Sequence, residues 1–248
     1  MPDRAIDEQL RTSHFVVAGS VAKLGATTMP IDPTVPNVGV FKVDEILHGP
    51  RQLGGFAGRE ITVVFKDLRN VSAGERLVLF VTSWLYGESL VVLEVGRMED
   101  RERTAMRKEF DEARLRLADE SLQLRINLAQ LVIVGKVEKT APAPKQGART
   151  PITEHDPDWW EAVIKVESVE KGQHKGPATI LFPKSVDVAW SQSPKFQPGQ
   201  DGIWILQRDQ KERGWPVLRR PGLTALDPLD YQPPSELDRI RGFLTRKR

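Results

Sequence analysis

The sequence predicts a mainly β protein with helices, in which one small five-stranded barrel-like unit occurs twice and each copy is followed by a helix. Three observations predict it. Phe15 to Val21 (FVVAGSV) returns 116 residues later as Leu131 to Val137 (LVIVGKV), an apolar run interrupted by one glycine at the same place. Further segments recur after it in the same order. Between the copies the character changes to a charged stretch with helical spacing.

The second element of each copy is Val40 to Gly49 (VFKVDEILHG) and Val163 to Gly172 (VIKVESVEKG), where the lysine, the alternating apolar positions and the final glycine coincide. Such alternation marks a strand with one buried face. Thr62 to Phe65 (TVVF) and Thr179 to Phe182 (TILF) form the third pair. Ala73-Gly74 then leads into LVLFV (Leu77 to Val81), as Pro198-Gly199 leads into GIWIL (Gly202 to Leu206). A glycine turn thus delivers the chain into an almost wholly apolar strand, the expected centre of each core. Leu90 to Glu94 closes the first copy, and Pro216 to Leu218 is expected to close the second. Five strands in roughly 80 residues suit a small closed or partly open barrel, whose closure removes exposed edges. Periodicity alone leaves a sandwich open.

In the central stretch Met106, Phe110, Ala113 and Leu117 make one apolar stripe, and Leu122, Ile126 and Ala129 a second. A bend or break near Ala118 to Ser121 is expected between them. At the end of the chain Ser235 is placed to cap a helix with Asp238 in a capping box, and Leu237, Ile240, Phe243 and Leu244 supply its buried side. The expected organisation is a first barrel over 1–99, a helical connector over 100–129, and a second barrel with its helix over 130–248.

The 248 residues, 40% hydrophobic and 28% charged, have the composition of a soluble globular chain. The net charge of +2 gives little long-range pull on nucleic acid or on an anionic membrane. With no cysteine, disulfides and thiolate ligands are unavailable, which fits a reducing compartment. The first residues, MPDRAIDEQL, lack an apolar leader, and no run is long enough to span a bilayer. A cytoplasmic location and no membrane insertion are expected.

The Val-rich strand containing glycine (VVAGSV, VIVGKV), the Pro-rich loop, the strands FKVDEILHG and IKVESVEKG, and the runs GERLVLFV and GQDGIWIL resemble the tissue inhibitor of metalloproteinase and netrin-module superfamily. The resemblance covers about two thirds of each copy and implies an OB-like barrel with helices. It implies no inhibitory mechanism, because that family's amino-terminal cysteine has no counterpart here: residue 1 is methionine.

No catalytic, cofactor or metal site is expected. His14, His48, His155 and His174 are scattered, and Glu154, His155, Asp156 and Asp158 read as a polar loop rather than a calcium motif. There is no GxSxG elbow, and GPRQLGGFAGRE lacks the Lys-Ser or Lys-Thr ending of a phosphate loop. Those glycines read as a hairpin connection with Gly49, Gly54 or Gly58 at positive φ. The expected activity is non-catalytic binding to a protein or to further copies of the chain. Trp159, Trp160, Trp84 and Tyr86 are the expected contacts, because rigid aromatics bury much area at small entropic cost. Single-stranded nucleic acid is an unfavoured alternative, because Trp204 belongs to a core strand and Trp159 or Trp160 can plug the barrel; an enzyme whose catalytic groups assemble from distant segments is the other.

Overall fold

The apolar runs pair into two barrels of one topology. The computed structural model describes residues 4–28, 35–49, 55–86, 89–100, 103–144, 158–185, 190–208 and 222–245. In the first unit β1 (Phe15–Leu24), β2 (Val38–His48), β3 (Glu60–Val64), β4 (Arg76–Tyr86) and β5 (Ser89–Glu99) close in the order β1-β2-β3-β5-β4, with β3 and β5 parallel. The second unit holds β6 (Leu131–Pro142), β7 (Trp159–Lys171), β8 (Ala178–Pro183), β9 (Asp201–Arg208), β10 (Leu223–Thr224) and β11 (Tyr231–Gln232). Its ring closes because β10 pairs with both β8, in parallel, and β9. Both are closed five-stranded barrels of OB type, which settles the alternative of a sandwich.

The duplication extends to irregularities. The β1–β2 ladder shifts register at Val16/Val17, Ala18/Gly19 and Val21/Lys23, and the β6–β7 ladder at Val132/Ile133, Val134/Gly135 and Val137/Lys139. Each bulge therefore recurs at the 116-residue offset, and bulges bend a strand toward closure. The shared glycine follows from the second of them. A Cβ on Gly19 would lie 2.0 Å from the Lys42 carbonyl oxygen, and one on Gly135 2.2 Å from that of Lys165. Gly74 and Gly199 take φ of 87° and 85°, and their N–H groups donate to Val21 and Val137 respectively, each at 2.8 Å.

Gly19→Ala and Gly135→Ala are each expected to lower stability by about 1–3 kcal/mol, since backbone must move to admit the methyl. Gly242→Ala is expected to raise it by about 0.5–1 kcal/mol, because a helical Cβ there meets nothing within 4 Å. Guanidinium unfolding of the three variants checks the opposite signs.

Helices cover the outer faces. In the first barrel Phe15, Val17 and Val21 point inward with Phe41, Ile61, Leu79 and Val92. Val16, Ala18, Val78 and Phe80 point outward under α1 (Arg4–Thr12) and the first half of α2 (Arg103–Leu128), against Ile6, Leu10, Met106, Phe110 and Ala113. Strands apolar on both faces are the result. The second barrel repeats this: Leu131, Ile133, Ile164, Ile180 and Leu206 fill it. Val132, Ile203 and Ile205 meet Leu122, Ile126, Ala129, Ile240 and Phe243 from α2 and α3 (Leu237–Thr245).

The chain divides into Met1–Asp119 and Glu120–Arg248. Both apolar stripes of α2 are used as the sequence implies, one per unit, but the expected break near Ala118 to Ser121 is absent because α2 is a single helix. Each barrel is followed by a helix, as the sequence predicts, and a helical segment also precedes each: α1 the first and the last part of α2 the second. Ser235 falls inside a 3-10 turn (Pro234–Glu236) leading to α3, so it is not the expected cap. Pro216 to Leu218 lies outside the described residues; β10 closes the second ring and β11 adds a further pairing along β9. No helix among the described residues is long and apolar enough to cross a membrane.

Candidate functional site

The two barrels share a skeleton and differ at one rim. It lies where β1, β2 and β3 of the first unit, or β6, β7 and β8 of the second, meet the loop before the fourth strand.

In the first barrel the rim is ionic. Arg97 on β5 donates to the Asp67 carboxylate at 2.6 Å and lies 3.3 Å from Glu94, while Arg69 holds the other Asp67 oxygen at 2.8 Å. The Arg69 hydrogen bond, with the help of Arg97, takes the Asp67 carboxyl down to about 2. Burial pushes Glu94 up, against the Lys66 N–H and Arg97.

In the second barrel the same rim is aromatic. Trp159 and Trp160 open β7, paired with Pro183 and Phe182 of β8. Both are half-buried. Trp160 packs on the barrel interior with one part of its ring, and the Lys184 ammonium stands 3.6 Å from the ring centroid. Trp159 meets Trp190 edge to face, centroids 5.6 Å apart at 74°. The turn carrying Trp190 is fixed by Lys195, whose Nζ donates to the carbonyls of Trp190 and Ser193 at 2.8 and 2.9 Å. Burial lowers the Lys195 ammonium from its ordinary value. Lys184 lies two residues after Phe182, as Asp67 lies two residues after Phe65, so the charge at that one position is reversed between the units.

The interior is plugged by other rings. Trp204, wholly buried, meets Phe196 and Tyr231 edge to face at 6.0 and 5.7 Å, and Phe182 meets Phe196 at 5.0 Å. The Tyr231 hydroxyl donates to the Asp201 carbonyl at 2.9 Å.

Of the four expected contacts, Trp159 and Trp160 come together on this rim. Trp84 and Tyr86 lie on β4 of the first unit, opposite Val91 and Ser89, and their side chains are outside the described residues. Sequence reasoning missed Trp190 as a site residue, and also Lys184. Glu154, His155 and Asp156 lie outside the described residues.

No protein-family model matches the chain, and no curated protein matches it. It is similar to solved structures, of which three are described. The first is the Ifi202 HINa domain in complex with 20-bp double-stranded DNA, at 10% identity over 86% of this chain and 92% of that one, TM-score 0.22. The second is described as "Structural mimicry for functional antagonism", at 10% identity over 86% and 89%, TM-score 0.22. The third is the wild-type single-stranded DNA-binding protein from Thermus aquaticus, at 11% identity over 89% and 91%, TM-score 0.22.

The expected ranking of partners, with nucleic acid unfavoured, is corrected on the chain's own geometry. That ranking assigned a rim tryptophan to the barrel plug. The interior is filled by Trp204 with Phe182, Phe196 and Tyr231, and Trp160 adds only part of its ring to it; Trp159 stays half-buried against Trp190, and Lys184 stands over Trp160 at the edge of strands two and three.

Proposed function

We propose that the second barrel is a non-catalytic binding module for single-stranded nucleic acid. The carrying observation is the half-buried trio of Trp159, Trp160 and Trp190 with the Lys184 ammonium 3.6 Å over one ring. Unstacked bases offer a π-face whatever their sequence, and stacking on a protein aromatic contributes about 1–3 kcal/mol per base. The face of strands two and three, with the first loop, is where OB barrels take oligonucleotides and oligosaccharides. A protein partner would use the same rigid rings, and the Lys184 ammonium beside them is what favours a phosphate-bearing one. The narrower kinship with the tissue inhibitor and netrin modules remains a proposal about strand pattern.

Affinity is expected to come from stacking more than from charge, given a net charge of +2. With one or two phosphates neutralised, the slope of log K against log salt should be about −0.7 to −1.4. Anisotropy titration of a labelled oligothymidylate of roughly a dozen nucleotides at about 50 and 200 mM salt measures this slope. Micromolar binding with a shallow slope and quenched tryptophan fluorescence is the expected result. Absence of binding at low salt, or equal binding of a duplex of the same length, would sink the reading.

A further inference from the structure

The first unit carries a separate cavity that the nucleic-acid reading does not use. It has a volume of about 550 Å³ and is lined by Leu10 of α1, His48 at the end of β2, and Asp111, Arg114, Leu115, Leu117 and Ala118 of α2. Asp111, Arg114, Leu115 and Ala118 follow one another at helical spacings of three, one and three, so α2 turns one stripe toward His48. Leu115 stays 67% exposed, an apolar side chain that folding leaves in water.

The second unit shows what normally fills this corner. Lys171 stands there at the end of β7, and its ammonium donates to the carbonyls of Ile126 and Asn127 at 2.7 and 2.9 Å. Its counterpart His48 is shorter, and its imidazole makes no hydrogen bond among the described residues. Burial first, and then the Arg114 charge, lower the His48 imidazole from its ordinary value, while Asp111 acts the other way. Asp111 lies 3.7 Å from Arg114 and is 72% exposed, so it is a poor counter-ion for the cavity floor.

We infer that this cavity binds an amphipathic carboxylate, its apolar chain against Leu10, Leu115, Leu117 and Ala118 and its carboxylate between Arg114 and His48. The volume falls within the range of small-molecule sites, which are largely apolar with a few convergent polar groups. A bound anion gives Arg114 a counter-charge inside the cavity, where its long, exposed contact with Asp111 supplies little, and gives His48 an acceptor. It also covers the wet face of Leu115.

Isothermal titration of the full chain with decanoate, and with 1-decanol as its uncharged match, tests this. Decanoate should bind at least about tenfold more tightly than decanol, Arg114→Gln should remove that difference, and Ala118→Leu should weaken both ligands by filling the cavity. All the substituted side chains line the cavity at the helix surface, and circular dichroism confirms that the variants fold. Failure of decanoate to bind at millimolar concentration, or binding unchanged in both variants, would overturn the inference. So would self-association of the chain that Leu115→Lys abolishes while decanoate leaves it unaffected, because a second copy would then be the occupant.

Discussion

Replacing Arg125 with alanine is expected to lower the stability of the second unit by about 3–5 kcal/mol, the usual cost of leaving one member of a buried ion pair alone. Arg125 projects from α2 and grips Asp230 with both ends of its guanidinium, the Nη2–Oδ2 distance being 2.7 Å. The Asp230 side chain is wholly buried and also accepts the N–H groups of Leu226 and Asp227 at 2.7 and 2.9 Å. Asp227 returns the arrangement by accepting from Leu229, which completes a capping box around the 3-10 turn Pro228–Asp230. Burial raises the Asp230 carboxyl, while Arg125 and these amides pull it down. The pair as a whole need not stabilise the fold, because desolvation consumes much of its attraction. Its removal by halves is what costs. Arg125→Gln with Asp230→Asn should therefore be more stable than Arg125→Gln alone, with a coupling of about 0.5–3 kcal/mol. Guanidinium unfolding followed by tryptophan emission reports on this unit, which holds five of the six tryptophans. A loss below about 1 kcal/mol in Arg125→Ala would show that water reaches the carboxylate after all.

The first unit solves the same corner without charge. One hundred and sixteen residues before Arg125 stands Gln9, and Gly96 lies one residue before Arg97 just as Asp230 lies one before Tyr231. Leu79 pairs with Arg97 as Trp204 pairs with Tyr231, so the registers agree. A Cβ on Gly96 would lie 2.6 Å from the Gln9 Nε2 atom. The glutamine thus occupies the space that the aspartate takes in the other copy. One repeat uses a polar side chain over a glycine, the other a buried ion pair and a capped turn.

Much of the architecture was legible because both barrels rest on long apolar runs at a fixed offset. The elements that escaped are those with too few residues to set a pattern. Among the described side chains of α1, Ile6 and Leu10 are the buried hydrophobics, which is too little for a helical period to stand out. β10 and β11 have two residues each, separated by the turn that Asp227 caps. The interruption of the stripe in α2 was legible, but its meaning was not. Residues 118–121 include neither glycine nor proline, so the helix continues and only the surface it serves changes. At the rim, adjacent tryptophans before a strand drew attention to Trp159 and Trp160. Trp190 and Lys184 join them through tertiary contacts, for which the local pattern carries no signal.

The sharpest functional consequence concerns Trp159 and Trp190 together. They suit substitution because neither belongs to the buried core, whereas Trp160 packs on the barrel interior and its loss would confound binding with stability. If each ring carries one base at about 1–3 kcal/mol, Trp159→Ala/Trp190→Ala should weaken oligothymidylate binding at least about thirtyfold. The salt slope should hardly change, since no phosphate contact is touched. Lys184→Gln should do the reverse, reducing the slope by about 0.7 with a smaller loss of affinity at high salt. Stacking and charge are thereby separated on one surface. Emission from the buried Trp204 verifies that the barrel survives in each variant. An aromatic rim used only for packing predicts a different pattern: oligonucleotide affinity would be the same in the parent and in the double variant, and any change would fall on the unfolding curve.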